Sequence, residues 1–259
     1  MASSSQATPA FVRLAAHPLR WRLLTELATG DLRVRELTAL VAAPQNLVSY
    51  HLRVLRDGGL VTATRSSFDG RDSYYRLDLA RCAQALAGTG AALHPALRCV
   101  PTPPVSPAGR RRRSRPAVLF LCTGNSARSP IAEALLRHHL ADDLFVTSAG
   151  SRPRSETHPQ AVQVLRERYG IDIAGRRPRH LDTLRGHRFD YVITLCDKVR
   201  EVCPEFGDHT RRIHWSVPDP AATGRTEHGH DSFARAAADI DTRIRYLLPV
   251  LAQTPEARP

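Results

Sequence analysis

The run Pro116-Ala117-Val118-Leu119-Phe120-Leu121-Cys122-Thr123-Gly124-Asn125-Ser126-Ala127-Arg128-Ser129-Pro130 carries an apolar stretch into a cysteine and places an arginine six positions later. Residues 118–121 read as a buried strand and 131–140 as a helix, so the intervening loop sits at a helix N-terminus. Free amides and the positive end of the helix dipole favour a tetrahedral anion at such a place. The same field, with Arg128 beside it, is expected to lower the pKa of Cys122 and hold a reactive thiolate. Thr123, Gly124, Asn125, Ser126 and Ala127 then form the oxyanion-binding loop, with small and polar residues suited to wrapping an anion.

Working outward, strands and helices alternate: a strand at 145–148, a helix at 159–169, a strand at 191–195 and a closing helix at 233–251. That alternation predicts a three-layer α/β domain around a central parallel sheet, with its ligand at the strand C-termini, where Cys122 falls. Two further features converge on that edge. In Trp215-Ser216-Val217-Pro218-Asp219-Pro220 a carboxylic acid is held between prolines, where it could protonate a leaving oxygen. An ordinary Asp-Pro turn is the competing reading. Cys196 and Cys203 lie seven positions apart from a strand end onward, an arrangement that permits disulfide relay from a nucleophile to a resolving pair. Coincidental core cysteines are the alternative.

The N-terminal half has a different pattern. Residues 11–28 are amphipathic with an interruption at Pro18, and 34–41 form a second apolar-periodic segment. Pro44 and the pair Gly58-Gly59 bracket a further helix. Its residues Leu47, Val48, Leu52 and Leu55 are expected to face the core, leaving Gln45, Asn46, Ser49, Tyr50 and Arg53 outward, with His51 grouped among the DNA-binding positions. Two β-rich runs, 60–65 and 72–77, meet across Asp69-Gly70 as a hairpin whose tip presents Arg71 to phosphates. A trailing helix at 79–93 completes a winged helix-turn-helix, mostly α with one β-hairpin.

Between the halves, Pro101 to Pro107 runs into Arg110-Arg111-Arg112-Arg113-Ser114-Arg115, which reads as an extended, mobile linker over 99–116. The expected organisation is therefore a disordered start (1–10), a DNA-binding domain (11–98), the linker, a catalytic domain (117–253) and a tail (254–259). The formal charge of +12 divides as +5 over residues 1–98, +5 over 99–117 and +2 over the remainder, which puts an anionic partner, most simply DNA, at the N-terminal half. Of the 37 basic residues 36 are arginine, so nucleotide composition is the competing explanation. No apolar run approaches membrane-spanning length and the N-terminus lacks a signal pattern, so a cytoplasmic protein with no membrane partner is expected. Five cysteines without an export signal suit reduced, functional thiols.

The segments His17 to Leu24, Val48 to Val61 and Tyr74 to Leu77 resemble the ArsR-type metalloregulatory repressors. That resemblance implies a homodimer, built through the first and last helices, on a two-fold operator. Where arsenic-sensing members carry a cysteine pair, this chain reads Leu32-Arg33-Val34-Arg35, and arginine cannot ligate a metalloid. Cys82 and Cys99 are the cysteines left in that half, with structural or incidental roles expected.

Residues 116–252 resemble the low-molecular-weight tyrosine phosphatase superfamily, in its thioredoxin-coupled arsenate reductase branch. By that resemblance Cys122 is the nucleophile, Arg128 the anion-binding arginine, Ser129 the thiolate-stabilising hydroxyl, Asp219 the general acid, and Cys196 and Cys203 the relay thiols. The aromatic pair that follows the acid in tyrosine phosphatases is Ala221-Ala222 here, whereas Ala127 and Ser129-Pro130 depart from the commonest reductase loop. The resemblance also implies a potassium ion at Asn125, Glu133 and Ser148, an external reductant such as thioredoxin, and no tightly bound cofactor. The function so implied is arsenate reduction fused to transcriptional regulation. Phosphotyrosine hydrolysis, or oxyanion or redox sensing without catalysis, stand as alternatives.

Overall fold

The computed structural model describes residues 7–97, 116–140, 145–207, 209–222 and 228–253. The chain divides into two compact units, Met1–Thr102 and Pro103–Pro259. The expected linker up to Arg115, Cys99 within it, residues 1–6 and the tail at 254–259 lie outside the described residues.

In the N-terminal unit Pro18 splits the expected first helix into α1 (Ala10–Ala15) and α2 (Pro18–Leu27). A proline has no N–H to donate and suits the first helical position, where His17 Nδ1 accepts from Leu19 N–H at 3.2 Å. There follow β1 (Leu32–Arg33), α3 (Val34–Val41), α4 (Gln45–Asp57), β2 (Val61–Arg65), β3 (Ser73–Leu77) and α5 (Leu79–Leu93). The strands pair antiparallel in the order β1-β3-β2. β1 is absent from the expectation because two residues carry no periodicity. Helix α4 ends where Gly59, at φ +75°, turns the chain so that Leu60 N–H reaches Leu55 O at 3.0 Å. Leu23, Leu37, Val48, Leu52 and Leu55 are fully buried together, each large side chain contributing roughly 1.5–3 kcal/mol of transfer free energy.

The C-terminal unit is an α/β domain comprising β4 (Ala117–Cys122), α6 (Arg128–Leu140), β5 (Phe145–Gly150), α7 (Pro159–Tyr169), β6 (Tyr191–Thr194), α8 (Asp197–Val202), β7 (Arg211–His214) and α9 (His228–Gln253). Its four strands are parallel, in the order β5-β4-β6-β7. Residues 118–122 of the inner strand β4 are all buried, which is why that strand reads as an unbroken apolar run rather than an alternation. Helix α6 packs on α9, α7 on α9, and α8 against β4 and β6. The register sets Cys122 opposite Gly150 and Leu121 opposite Thr194, so three strand ends meet at one edge. Strand β7 escaped the sequence pattern because it is an edge strand whose Arg211 and Arg212 face solvent. Among the described residues, no helix is long and apolar enough to cross a membrane.

Candidate active site

Cys122 is the last residue of β4 and Arg128 the first of α6. The loop between them is held from outside: its Thr123, Gly124 and Ser126 carbonyls accept from the N–H groups of Arg152, Arg154 and His158 at 2.8, 2.9 and 2.8 Å. With those carbonyls turned outward, the loop's own amides are left for the inner side, where Asn125 N–H donates to Cys122 Sγ at 3.2 Å. Close approach by Gly150 is part of the same fit. A Cβ there would lie 2.6 Å from Thr123 O and 2.9 Å from Asn125 N, so only glycine lets β5 lie against the loop.

Ser129 Oγ lies 3.0 Å from Cys122 Sγ, and Asn125 Nδ2 donates to that hydroxyl at 2.9 Å. Because the amide nitrogen can only donate, the Ser129 proton is free to point at sulfur and favour a thiolate. Arg128 is buried, donates to Val217 O at 3.1 Å and pairs with Asp219 Oδ2 at 3.1 Å. The Asp219 loop is thereby brought to Arg128, with Asp219 half-exposed.

One expectation is corrected. Burial pushes the Cys122 thiol up, and the proximity of Cys196 adds to this, while Arg128 and Ser129 pull it back without reversing the net direction.

Cys196 caps α8 at its N-terminal end and is buried, its Sγ 3.2 Å from Thr123 Oγ1. Cys203 caps the other end and is partly exposed, with burial pushing its thiol up and Arg212 pulling it down. Neither α8 nor what anchors it was read from sequence. Asp197, at its first position, accepts from Ser216 Oγ at 2.8 Å and contacts His214 Nε2 at 3.1 Å, and His214 Nδ1 is 2.8 Å from Thr194 Oγ1. These buried groups tie α8 to the segment that precedes Asp219.

Asn125, Glu133 and Ser148 do come together, but not as a cation site. Glu133 is already paired with Arg176 Nη1 at 2.7 Å and Arg137 Nη2 at 3.2 Å, so the set does not fit a potassium ion. Arg176 gave no signal in a chain so rich in arginine, 54 residues beyond the loop's Cys122.

In the N-terminal unit Gln45, Asn46, Ser49, Tyr50, Arg53 and Arg71 are exposed, and the Arg53 guanidinium lies 5.8 Å from the centre of the Tyr50 ring. Two positions depart from expectation. Leu47 is exposed rather than in the core, because it falls one residue ahead of the buried stripe Val48, Leu52, Leu55. His51 is only 4% exposed, its ring centre 4.3 Å from that of His17 with the planes tilted, and burial, His17 and Arg20 all push its pKa down. A neutral, buried imidazole is no phosphate contact. Arg33 and Arg35, which replace the metalloid-binding pair, each reach Asp72 beside the hairpin at 3.7 Å.

Residues 117–257 match the family described as low molecular weight phosphotyrosine protein phosphatase, and residues 17–63 match the arsR family of bacterial regulatory proteins. An arsenate reductase of Bacillus licheniformis is 40% identical over 133 residues, 51% of this chain and 94% of that protein. One from Bacillus subtilis is 36% identical over 129 residues, 49% of this chain and 91% of its own length. A solved arsenate reductase from Archaeoglobus fulgidus is 28% identical, with 51% of this chain and 98% of that one covered, at a TM-score of 0.43.

Proposed function

The chain belongs to the low molecular weight phosphotyrosine protein phosphatase family, and from that membership we propose that its C-terminal unit reduces arsenate to arsenite while its arsR-family segment binds operator DNA. The thiolate of Cys122 attacks arsenic, and water leaves with a proton from Asp219 while Arg128 and the loop amides hold the anion. Cys196 then attacks Cys122 Sγ. A Cys122–Cys196 disulfide forms, the S–As bond breaks with its electron pair passing to arsenic, and arsenite departs. Cys203 attacks Cys196 Sγ, freeing Cys122 and leaving a Cys196–Cys203 disulfide for an external dithiol such as thioredoxin. Both electrons come from the chain's own thiols, so no resident cofactor enters.

The observation that carries this reading is the placement of the second and third thiols at the two ends of α8. Cys196 touches the nucleophile loop, as its attack requires. Across the six-residue helix Asp197–Val202 the two cysteines are separated by roughly 10 Å of helix rise, more than the ~7 Å Cα limit of a disulfide. The last step therefore unwinds α8. A helix this short is marginal on its own; Asp197 and Val199 are buried, so unwinding starts from the Cys203 end, where Val202 is 60% exposed.

The test is steady-state turnover of arsenate and of an aryl phosphate, each with and without thioredoxin, in wild type and Cys203→Ser. The variant should complete one round with arsenate and stop, with aryl phosphate hydrolysis unchanged. Undiminished multiple turnover of arsenate in Cys203→Ser would sink the relay. Aryl phosphate turnover without any arsenate reduction would instead leave a phosphatase, for which Cys122, Arg128 and Asp219 suffice.

For the N-terminal unit, the exposed face of α4 and the hairpin arginine support operator binding. Exposed Val12 on α1 and Leu86 and Leu93 on α5 support a homodimer through those helices. A gel shift on the protein's own promoter region, with no specific complex, would overturn the regulator assignment.

A further inference from the structure

Glu133 on α6 is 3% exposed, and both of its oxygens are engaged. Oε2 accepts from Ser148 Oγ at 2.8 Å and pairs with Arg176 at 2.7 Å, while Oε1 pairs with Arg137. Ser148 Oγ in turn accepts from Asn125 Nδ2 at 2.9 Å, and the same amide nitrogen donates to Ser129 Oγ, the hydroxyl beside Cys122. The orientation of this amide is fixed independently, because Asn125 Oδ1 accepts from Arg179 N–H at 2.9 Å. An unbroken chain thus runs from a guanidinium to the reactive sulfur, and its direction is forced. Glu133 Oε2 accepts from Ser148, Ser148 accepts from Asn125, Asn125 donates its other proton to Ser129, and Ser129 points its own at Cys122.

A side chain buried this deeply is held by the groups that face it, and here two guanidiniums do so, one on each oxygen. We propose that Arg176, which meets the same carboxylate oxygen as Ser148 while Arg137 meets the other, is a positioning residue: it fixes Glu133 Oε2 and so orients the nucleophile's hydrogen-bond donor, in place of any bound monovalent cation. Its backbone is pinned for the task, with Thr157 Oγ1 donating to Arg176 O at 2.9 Å and Arg176 N–H reaching Ile173 O at 3.1 Å. The inference rests on Cys122 as the reactive thiol, and on nothing about which oxyanion it attacks.

The experiment compares full-length wild type, Arg176→Ala and Arg176→Lys in potassium chloride and in choline chloride at matched ionic strength. The readouts are the melting temperature and the rate of iodoacetamide alkylation at Cys122, followed by peptide mass. Wild type should give the same values in both salts. In choline chloride Arg176→Ala should melt several degrees lower and alkylate several-fold more slowly, potassium should move both back toward wild type, and the lysine variant should retain most of each. A wild-type protein that itself shifts between the salts overturns the proposal. So does an Arg176→Ala variant equal to wild type in both, or one whose loss no cation restores. Neither readout uses arsenate or an aryl phosphate, so failure of the reductase reading would show separately, in turnover.

Discussion

Two non-glycine residues among those described sit at positive φ, one in each unit: Ala42 at +48° and Asn125 at +46°. The dihedral is the same and its setting is not. Ala42 closes α3 ahead of the turn into α4, and its side chain is a methyl group that can make no hydrogen bond to compensate. Asn125 sits in the loop after Cys122, and its amide binds Ser129, Ser148 and the Arg179 N–H. A parallel contrast holds for the buried thiols. Cys82 on α5 reaches Leu60 O at 3.9 Å, and burial with Asp78 nearby pushes it to about 11. Cys122 is also pushed up by burial, but Arg128 and Ser129 pull against it. Burial makes a thiol inert, and the groups facing the sulfur decide whether it is more than that.

The largest test of this contrast removes each sulfur in turn. Cys122→Ser should lower turnover by at least about 10³-fold, as expected when a nucleophile is lost, whereas Cys82→Ser should leave it unchanged. Residual turnover in Cys122→Ser within tenfold of wild type would dismiss Cys122 as the nucleophile. Arg128→Ala comes next, with an expected loss of about 10²–10³ from removing one oxyanion donor. It also deletes a charge that favours thiolate, so the alkylation rate of Cys122 should rise at a higher pH than in wild type. An unmoved profile would mean that Arg128 does not face the sulfur in solution. Cys82 should behave oppositely to a catalytic thiol. With a pKa of about 11, its thiolate fraction at pH 8 is on the order of 10⁻³, so its alkylation should climb about tenfold per pH unit up to that value in the folded protein.

These differences bear on what could be read from the chain alone. Cys122 and Arg128 were legible because local pattern reports them, an apolar run ending in cysteine and a helix signal, whereas Asp219, an acid between prolines that alone reads as an ordinary turn, was singled out through the resemblance. Helices α3 and α7 were legible from periodicity between clear start and stop residues. What was lost depends on long-range pairing or on context. Strand β7 is charged and at a sheet edge, and α8 is one and a half turns beside a strand end. His51 looked like a polar residue on a DNA-facing helix, yet burial beside His17 takes it inside. Arg176 meets Glu133 from 43 positions away along the chain, a pairing no local pattern reports. The expected drop in the Cys122 pKa failed for a related reason: the loop and arginine are visible in sequence, and the depth of the sulfur is not.

DNA binding gives a smaller effect. Arg53→Ala and Arg71→Ala should each weaken binding across sequences and reduce the slope of log affinity against log salt by about one, if each meets a phosphate. An unchanged slope in both would remove the α4 face and the hairpin from the interface.

The smallest effect returns to the paired dihedrals. Placing a Cβ in the left-handed region costs roughly 1–2 kcal/mol, and glycine gives back about 0.4–1 kcal/mol through the greater freedom of the unfolded chain. Ala42→Gly should therefore stabilise the N-terminal unit by about 0.5–1 kcal/mol, since no side-chain hydrogen bond is lost. Asn125→Gly relieves the same strain but deletes the amide that orders Ser129 and Ser148, each such bond being worth about 1 kcal/mol. It should destabilise the C-terminal unit. Each unit holds one of the two tryptophans, Trp21 and Trp215, so urea midpoints can be followed separately by replacing the other with phenylalanine. Equal and opposite shifts would show that one dihedral is tolerated for the turn and the other maintained for the site. If both variants gain stability, the hydrogen bonds of Asn125 contribute less than its strain costs, and the loop's order has to come from its backbone.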